Sequence, residues 1–300
     1  MHVLHIDLGR EMRGGQYQVL LLLKTMRSAG HSFVLLARAG SPLFEKAKEL
    51  RFNVRPASLL SLRRLAGEFD VVHAHDAKAH SWAAVASTRP FVVSRRVAFS
   101  VQRGLLSRLK YRRAARFLAV SGFVAGKLRE AGISQSKIDL VPDSVEPATM
   151  QIWSADAPVV ALASADKKKG RDLMERAADI ARIPICFSND IEKDFCHASA
   201  FVYISRSEGF GSAALVAMSR GVPVIASCID GMAEVFEDGV SGVFVQNDPS
   251  EIAAAIQRVW SNGDATRSMI ENARVRVETV FSPSSMLLKT LASYRRAIGS

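Results

Sequence analysis

The chain has 300 residues, 48% of them hydrophobic and 23% charged, with 40 Lys and Arg against 29 Asp and Glu. That composition excludes a disordered polar chain, and three cysteines without a C-x-x-C spacing exclude a disulfide-built scaffold. No run of about eighteen apolar residues spans a bilayer, and the first residues lack the basic start and apolar stretch of a signal peptide, so the sequence reads as soluble or peripheral.

In chain order, residues 2–6 are predicted as a strand, 16–29 as a helix stopped at Gly30, 32–37 as a strand and 42–50 as a helix. Strands follow at 70–74, 91–94, 117–120 and 138–141, with helices at 78–87, 105–113 and 124–131 between them. Short apolar strands alternating with amphipathic helices predict a parallel sheet covered on both faces. Residues 142–158 hold three prolines and no clear period, and read as an interdomain linker. Alternation restarts with strand 159–163, helix 170–180, strand 183–187, helix 191–198, strand 201–204, helix 212–220 and strand 224–226. Helices at 249–260, 265–280 and 283–297 close the chain. Two doubly wound domains facing each other hold a ligand at the carboxyl ends of their strands.

Charge is unevenly spread. Residues 1–150 carry 24 Lys and Arg against 11 Asp and Glu, a net +13, while residues 151–300 carry 16 against 18, a net −2. Between Ala77 and Arg129 stand twelve basic residues and no acidic one. Such a block suggests an anionic partner, phospholipid, nucleic acid or a phosphorylated acceptor, in preference to a merely solvated basic face. Its arginines interleave with Trp82, Phe99, Leu105, Leu106 and Tyr111, a mixture suited to anionic lipid. No helix-turn-helix, zinc-finger or aromatic stacking motif speaks for nucleic acid.

Three strand-to-helix junctions carry candidate chemistry. Gly14-Gly15 lies between the first strand and first helix, where backbone can approach a phosphate; the pair is equally a tight turn. Lys167-Lys168-Lys169-Gly170 occupies the same position in the second half, where a lysine can neutralise a diphosphate. Ser207-Glu208-Gly209-Phe210-Gly211-Ser212 opens the helix after strand 201–204. There Glu208 can accept hydrogen bonds from sugar hydroxyls while the following amides meet phosphate oxygens. The string continues through Gly221-Val222-Pro223, Gly231-Met232-Ala233-Glu234-Val235 and Asp238-Gly239. His73 and His75 share one face of a strand and are read as hydrogen-bonding groups in preference to metal ligands.

The stretch from Ser207 to Gly242 resembles the donor-site signature of the retaining family 4 (bacterial group 1) glycosyltransferases. The N-terminal half adds Gly14-Gly15, Asp70-Val71-Val72-His73-Ala74-His75-Asp76 and Ser94-Arg95-Arg96-Val97, so the likeness runs over nearly the whole chain. The resemblance implies a GT-B architecture: two doubly wound, parallel-sheet, Rossmann-like domains facing a cleft, the C-terminal one shortened. Residues 1–147 form the acceptor and membrane side, and 148–300 the donor domain, with the helix of about 283–300 packing back on the first. It further implies retaining transfer from a nucleotide-sugar donor to a lipid-linked or lipopolysaccharide-type acceptor, without metal or other cofactor. Glu208 and Lys169 take the catalytic positions. Gly14, Gly15, Gly209, Phe210, Gly211, Ser212 and Glu234 bind donor, and His75, Asp76 and Arg96 lie on the acceptor side. A cytoplasmic protein, peripheral on the inner face of the membrane, follows.

Three positions depart from that pattern. The family's second carboxylate, eight residues after Glu208, is Val216; the arginine five residues before the lysine is Ser164; and the interval between strands 183–187 and 201–204 is short. A second reading is therefore a non-catalytic relative binding a glycan, nucleotide or protein.

Overall fold

The computed structural model describes residues 1–99 and 104–299; residues 100–103, part of the basic stretch 77–129, and Ser300 lie outside the described residues. The chain divides into two compact units, Met1–Asp143 with Pro283–Ser300, and Ser144–Ser282.

The first unit runs β1 (His2–Asp7), α1 (Gly14–Ser28), β2 (Ser32–Ala37), α2 (Pro42–Glu49), β3 (Val54–Pro56), α3 (Leu59–Ala66), β4 (Val71–Ala74), α4 (Ala77–Ala86), β5 (Phe91–Arg95), α5 (Leu105–Arg113), β6 (Arg116–Ala119), α6 (Gly122–Glu130) and β7 (Ile138–Leu140). Its strands form one parallel sheet in the order β3-β2-β1-β4-β5-β6-β7. Helix starts are fixed by side chains that accept otherwise orphaned amides: Ser41 for α2, Ser58 for α3, Asp76 for α4 and Ser121 for α6.

The second unit runs β8 (Val159–Leu162), α7 (Arg171–Ala181), β9 (Ile185–Ser188), α8 (Ile191–Asp194), β10 (Ala200–Tyr203), α9 (Ser212–Ser219), β11 (Val224–Ser227), β12 (Val243–Val245), α10 (Pro249–Ser261) and α11 (Gly263–Val280). Its parallel sheet has the order β12-β11-β10-β8-β9. Val159, Ala161, Val202 and Ile225 pack against Met174, Ala177, Ile252 and Ile256 of the covering helices. Only the four-residue α8 fills the interval between β9 and β10.

The final helix, α12 (Pro283–Ile298), belongs to the first unit. Its Met286, Leu287, Leu291 and Tyr294 pack with Val3, Leu22, Met26, Val71, Val92 and Leu118 on one face of that sheet. Val19, Leu20 and Leu23 of α1 join Leu35 and Ala37 of β2 in a further core cluster.

The two doubly wound parallel sheets agree with the sequence reading, and three details differ from it. β3 and α3 went unread; β3 is an edge strand of three residues, Val54, Arg55 and Pro56, with one apolar side chain before the proline. β12 is another three-residue edge strand. The segment read as a linker is bound to the second unit over part of its length: Gln151 exchanges hydrogen bonds with the backbone of Ala198, and the Trp153 indole donates to Ser199 O at 2.8 Å.

Each sheet reverses its winding at one place. In the first unit the switch lies between β1 and β4, and in the second between β8 and β10. Loops leaving the carboxyl ends of such a pair diverge to opposite faces and leave a crevice between them. All three candidate junctions follow one of these four strands.

Candidate functional site

In the second unit the crevice is formed by the turn after β8 and the loop after β10. Asp166 caps the short turn Lys167–Lys169 by accepting from Lys168 N at 2.9 Å. Gly170 follows with φ +60°, and a Cβ there would lie 2.6 Å from Ile204, so only glycine turns the chain into α7 at this approach. Arg206 laces the two loops together: its backbone N–H donates to Lys168 O at 2.7 Å, and its guanidinium donates to Lys167 O at 2.8 Å. The lacing holds Lys169 against Glu208.

Lys169 Nζ lies 2.6 Å from Glu208 Oε2. The Tyr203 hydroxyl donates to the same carboxylate oxygen at 2.8 Å, and Lys169 Nζ donates to that hydroxyl at 3.4 Å. Burial, then the neighbouring Glu208 charge, push the Tyr203 pKa well above its ordinary value, so its proton stays in place as a fixed donor. Both ends of the ion pair keep some solvent contact, at 25% and 18% exposure. An incoming anion can therefore reach the lysine without unfolding the loop.

The backbone beyond Glu208 is held by Asp230. Its carboxylate accepts from Ser207 Oγ at 2.9 Å and from Glu208 N at 3.2 Å, while Gly231 N donates to Glu208 O at 3.2 Å. Asp230 has φ +44°, a region that aspartate tolerates better than most residues. Gly211 is the N-cap of α9 with φ +95°, and a Cβ there would meet Met232 at 2.6 Å. Phe210 is buried edge-on to Phe281 and anchors the loop. These contacts leave the first amides of α9 as a positive helix end one loop away from Lys169. Val216 lies one turn along α9 from Ser212 on the same partly exposed side. Glu234 ends the turn Asp230–Glu234 with its residue exposed.

In the first unit the crevice lies between the segment after β1 and the start of α4. Asp7 ends β1 and accepts from Gly9 N at 2.9 Å and from the Gln16 amide at 3.1 Å. Burial, and next the charge of Asp76, raise the Asp7 pKa to about 6, against the hydrogen bonds from Gly9 and Gln16 and the charge of Arg96. Asp76 is committed to the backbone: it accepts from Leu8 N and from Lys78 N and Ala79 N at the start of α4. Gly14 and Gly15 open α1; a Cβ on Gly14 would meet nothing within 4 Å, and one on Gly15 would touch only Arg96, at 3.9 Å. Arg96 donates through Nε to Asp143 at 2.9 Å, while its Nη1 is buried without a partner. The Gly14-Gly15 helix start and Arg96 are thus neighbours.

His75 does not line this crevice. It is buried 5.2 Å from His5 and 3.9 Å from His73, ring centre to ring centre. His5 Nδ1 and His75 Nε2 share a 2.9 Å hydrogen bond, and His73 bonds Tyr294 Oη at 2.6 Å and Ser94 Oγ at 2.8 Å. Burial lowers the pKa of His5 to about 3 and those of His73 and His75 well below the ordinary value, so the cluster is neutral. Among the described residues these three are the group whose side chains lie close enough to hold a metal ion, with ligand atoms within 4.8 Å of one another. A shared ion would have to displace the His5–His75 hydrogen bond. The acceptor-side position given to His75 by resemblance therefore does not fit its burial, whereas Arg96 keeps 18% exposure.

Sequence reasoning singled out Lys169, Glu208, Gly209, Phe210, Gly211 and Ser212, and the structure gathers them in one loop cluster. It missed Tyr203 and Asp230. Asp230 had a faint signal in the Asp-Gly pair it forms with Gly231. Tyr203 had none, since a strand tyrosine reads as core.

A family model described as Glycosyltransferase Family 4 matches residues 12–149, and one described as Glycosyl transferases group 1 matches residues 183–276. D-inositol 3-phosphate glycosyltransferase of Mycobacterium marinum is 36% identical over 126 residues, which is 41% of this chain and 27% of that protein. The matched part is thus about a quarter of the length of that relative. Among solved structures, Anabaena HepE in complex with UDP superposes with a TM-score of 0.86 at 16% identity, covering 98% of this chain and 100% of that one. The apo form of the lipopolysaccharide outer core galactosyltransferase WaaB gives 0.72 at 16% identity, covering 98% and 99%. At that identity the likeness is one of fold.

Proposed function

The chain belongs to the group 1, family 4 glycosyltransferases of GT-B fold, and on that premise we propose that it moves a sugar from a nucleotide-sugar donor to a lipid-linked or envelope-glycan acceptor, with retention of configuration. The observation that carries the reading is the 2.6 Å Lys169–Glu208 pair beside the α9 helix start. In the bound state Lys169 turns from Glu208 to the departing diphosphate, and the amides after Glu208 meet its phosphate oxygens. Glu208, still held by Tyr203, accepts hydrogen bonds from the sugar hydroxyls. The first unit has its own place for an anionic group, where Gly14 and Gly15 offer open backbone beside the Arg96 guanidinium. The chain's own residues supply this charge stabilisation, and the chemistry so described calls for no metal.

The acceptor reading rests on the basic first half and places the protein peripherally on the inner face of the cytoplasmic membrane. No helix among the described residues is long and apolar enough to cross a membrane. The test is a donor panel beginning with UDP-sugars, since UDP is what HepE holds. Release of nucleoside diphosphate, with an α-linked product from an α-linked donor by NMR, is expected. A donor that raises the melting temperature without any release would favour the second reading, a non-catalytic binder, which Val216 supports.

A further inference from the structure

We propose that α5 is a membrane-insertion element, in which Leu105, Leu106 and Leu109 enter the headgroup region of an anionic bilayer while Arg108, Arg112 and Arg113 pair with its phosphates. The proposal deepens the peripheral-membrane reading above and rests on it. The three leucines are 84%, 85% and 61% exposed, on a helix of nine residues. Leu105 and Leu109 stand one turn apart with Leu106 beside them, so the apolar side chains form one patch. The remaining exposed residues of the helix are Arg108, Arg112 and Arg113.

The helix cannot turn to hide that patch. On its inner side Tyr111 is buried, stacked on Phe117 at 5.4 Å and edge-on to His80 at 4.8 Å. Lys110 pins α5 to α4, its Nζ donating to Ala77 O and Ser81 Oγ at 3.0 Å each. Lys110 is therefore a structural tie and not part of the outward charge.

Most of the remaining basic block is similarly committed. Arg96 is held by Asp143, Arg116 by Asp139 and Lys127 by Glu130, while Arg89 and Arg95 donate to the backbone oxygens of Gly67 and Phe99. Arg108, Arg112 and Arg113 have no acidic partner among the described residues. Three guanidiniums of the basic stretch 77–129 that make no ion pair among the described residues therefore stand on the same helix as the exposed leucines. A surface on which three exposed leucines adjoin three guanidiniums matches the headgroup-to-acyl boundary of an anionic bilayer, where apolar burial and attraction to phosphate act together. A nucleic-acid groove has no use for three leucines.

The experiment compares wild-type protein with Leu105→Ser/Leu106→Ser/Leu109→Ser and Arg108→Gln/Arg112→Gln/Arg113→Gln by co-sedimentation with phosphatidylcholine vesicles, with and without phosphatidylglycerol. Wild type should prefer anionic vesicles and keep part of its binding at physiological salt. The leucine variant should lose roughly tenfold or more of that salt-resistant part yet bind at low salt, and the arginine variant should lose the preference for anionic lipid. Leu106→Trp should be quenched by brominated lipid above the wild-type background. These positions are exposed, so circular dichroism and nucleotide binding should be unchanged. Leucine-variant binding equal to wild type, or an unquenched Leu106→Trp, overturns insertion while leaving electrostatic docking intact. Wild type bound to neither vesicle, or retarded by duplex RNA or held by a protein partner instead, overturns the membrane reading along with it.

Discussion

Tyr203→Phe removes one oxygen from the donor-site cluster and nothing else. The ring keeps its neighbours, Phe201 at 5.2 Å and the Lys169 ammonium at 5.2 Å from its centre. What goes is the 2.8 Å hydrogen bond to Glu208 Oε2, with the weaker 3.4 Å one that the hydroxyl accepts from Lys169. A hydrogen bond to a charged group contributes about 1.5–3 kcal/mol, and because Lys169 remains on the same oxygen the loss should fall at the low end, about 1.5 kcal/mol. Urea denaturation should report it as a lower midpoint at unchanged slope. The functional effect should be larger than the structural one. Once a diphosphate draws Lys169 away, Glu208 in the variant has lost its remaining side-chain donor and is held only by the 3.2 Å bond from Gly209 N to its other oxygen. Misplacing a group that orients substrate should lower kcat/KM by roughly tenfold or more, with KM for the donor less affected. Fluorescence-monitored urea curves and diphosphate-release kinetics on the same preparation give both numbers. A variant destabilised as stated but with kcat/KM within about twofold of wild type would refute the positioning role and leave Tyr203 a packing residue.

Three further outcomes are expected. Gly211→Ala places a Cβ at φ +95° and 2.6 Å from Met232, so it should destabilise by at least about 1–2 kcal/mol in thermal or urea melts and weaken nucleotide binding by moving the α9 start. Val216→Glu supplies a carboxylate one turn from Ser212 on the partly exposed side of α9; calorimetry should show tighter nucleoside diphosphate binding, and no gain with an intact fold would mean the nucleotide is held elsewhere. Asp7→Asn tests the raised carboxyl. Its folded pKa of about 6 lies above the ordinary 3.8, so ionisation disfavours the folded state as pH rises from about 4 through 6. The variant should therefore gain about 2–3 kcal/mol relative to wild type between pH 4 and pH 8 in paired urea melts, and an equal difference at both pH values would contradict the assignment.

The alternation of strands and helices was legible in the sequence because buried parallel strands read as short continuous apolar runs, and the helices carry clear stops such as Gly30 and Gly221. β3 and β12 were not read, each a three-residue edge strand; β7, equally short, was read, whereas β3 is only Val54 followed by Arg55 and Pro56. At the site, the string from Ser207 to Ser212 was legible because its glycines meet steric demands that the structure makes plain, Gly211 against Met232 above all. Tyr203 and the burial of His75 were not. Both follow from how strands register against each other, His5 beside His73 in adjacent strands and β8 beside β10, and no local spacing encodes that pairing. The basic block was legible as charge but not as surface. Which arginines are spent on Asp139 and Asp143, and which face outward beside exposed leucines, depends on tertiary contacts many residues away.

The account stands or falls on Glu208 acting on a donor. The most direct measurement is kcat/KM for diphosphate release from the best nucleotide sugar, wild type against Glu208→Ala, with circular dichroism on both. Loss of a charged hydrogen-bond partner from the site should lower kcat/KM on the order of a hundredfold while the fold is retained. A folded Glu208→Ala protein with wild-type kcat/KM would contradict the central claim and remove the Lys169–Glu208 pair from the chemistry.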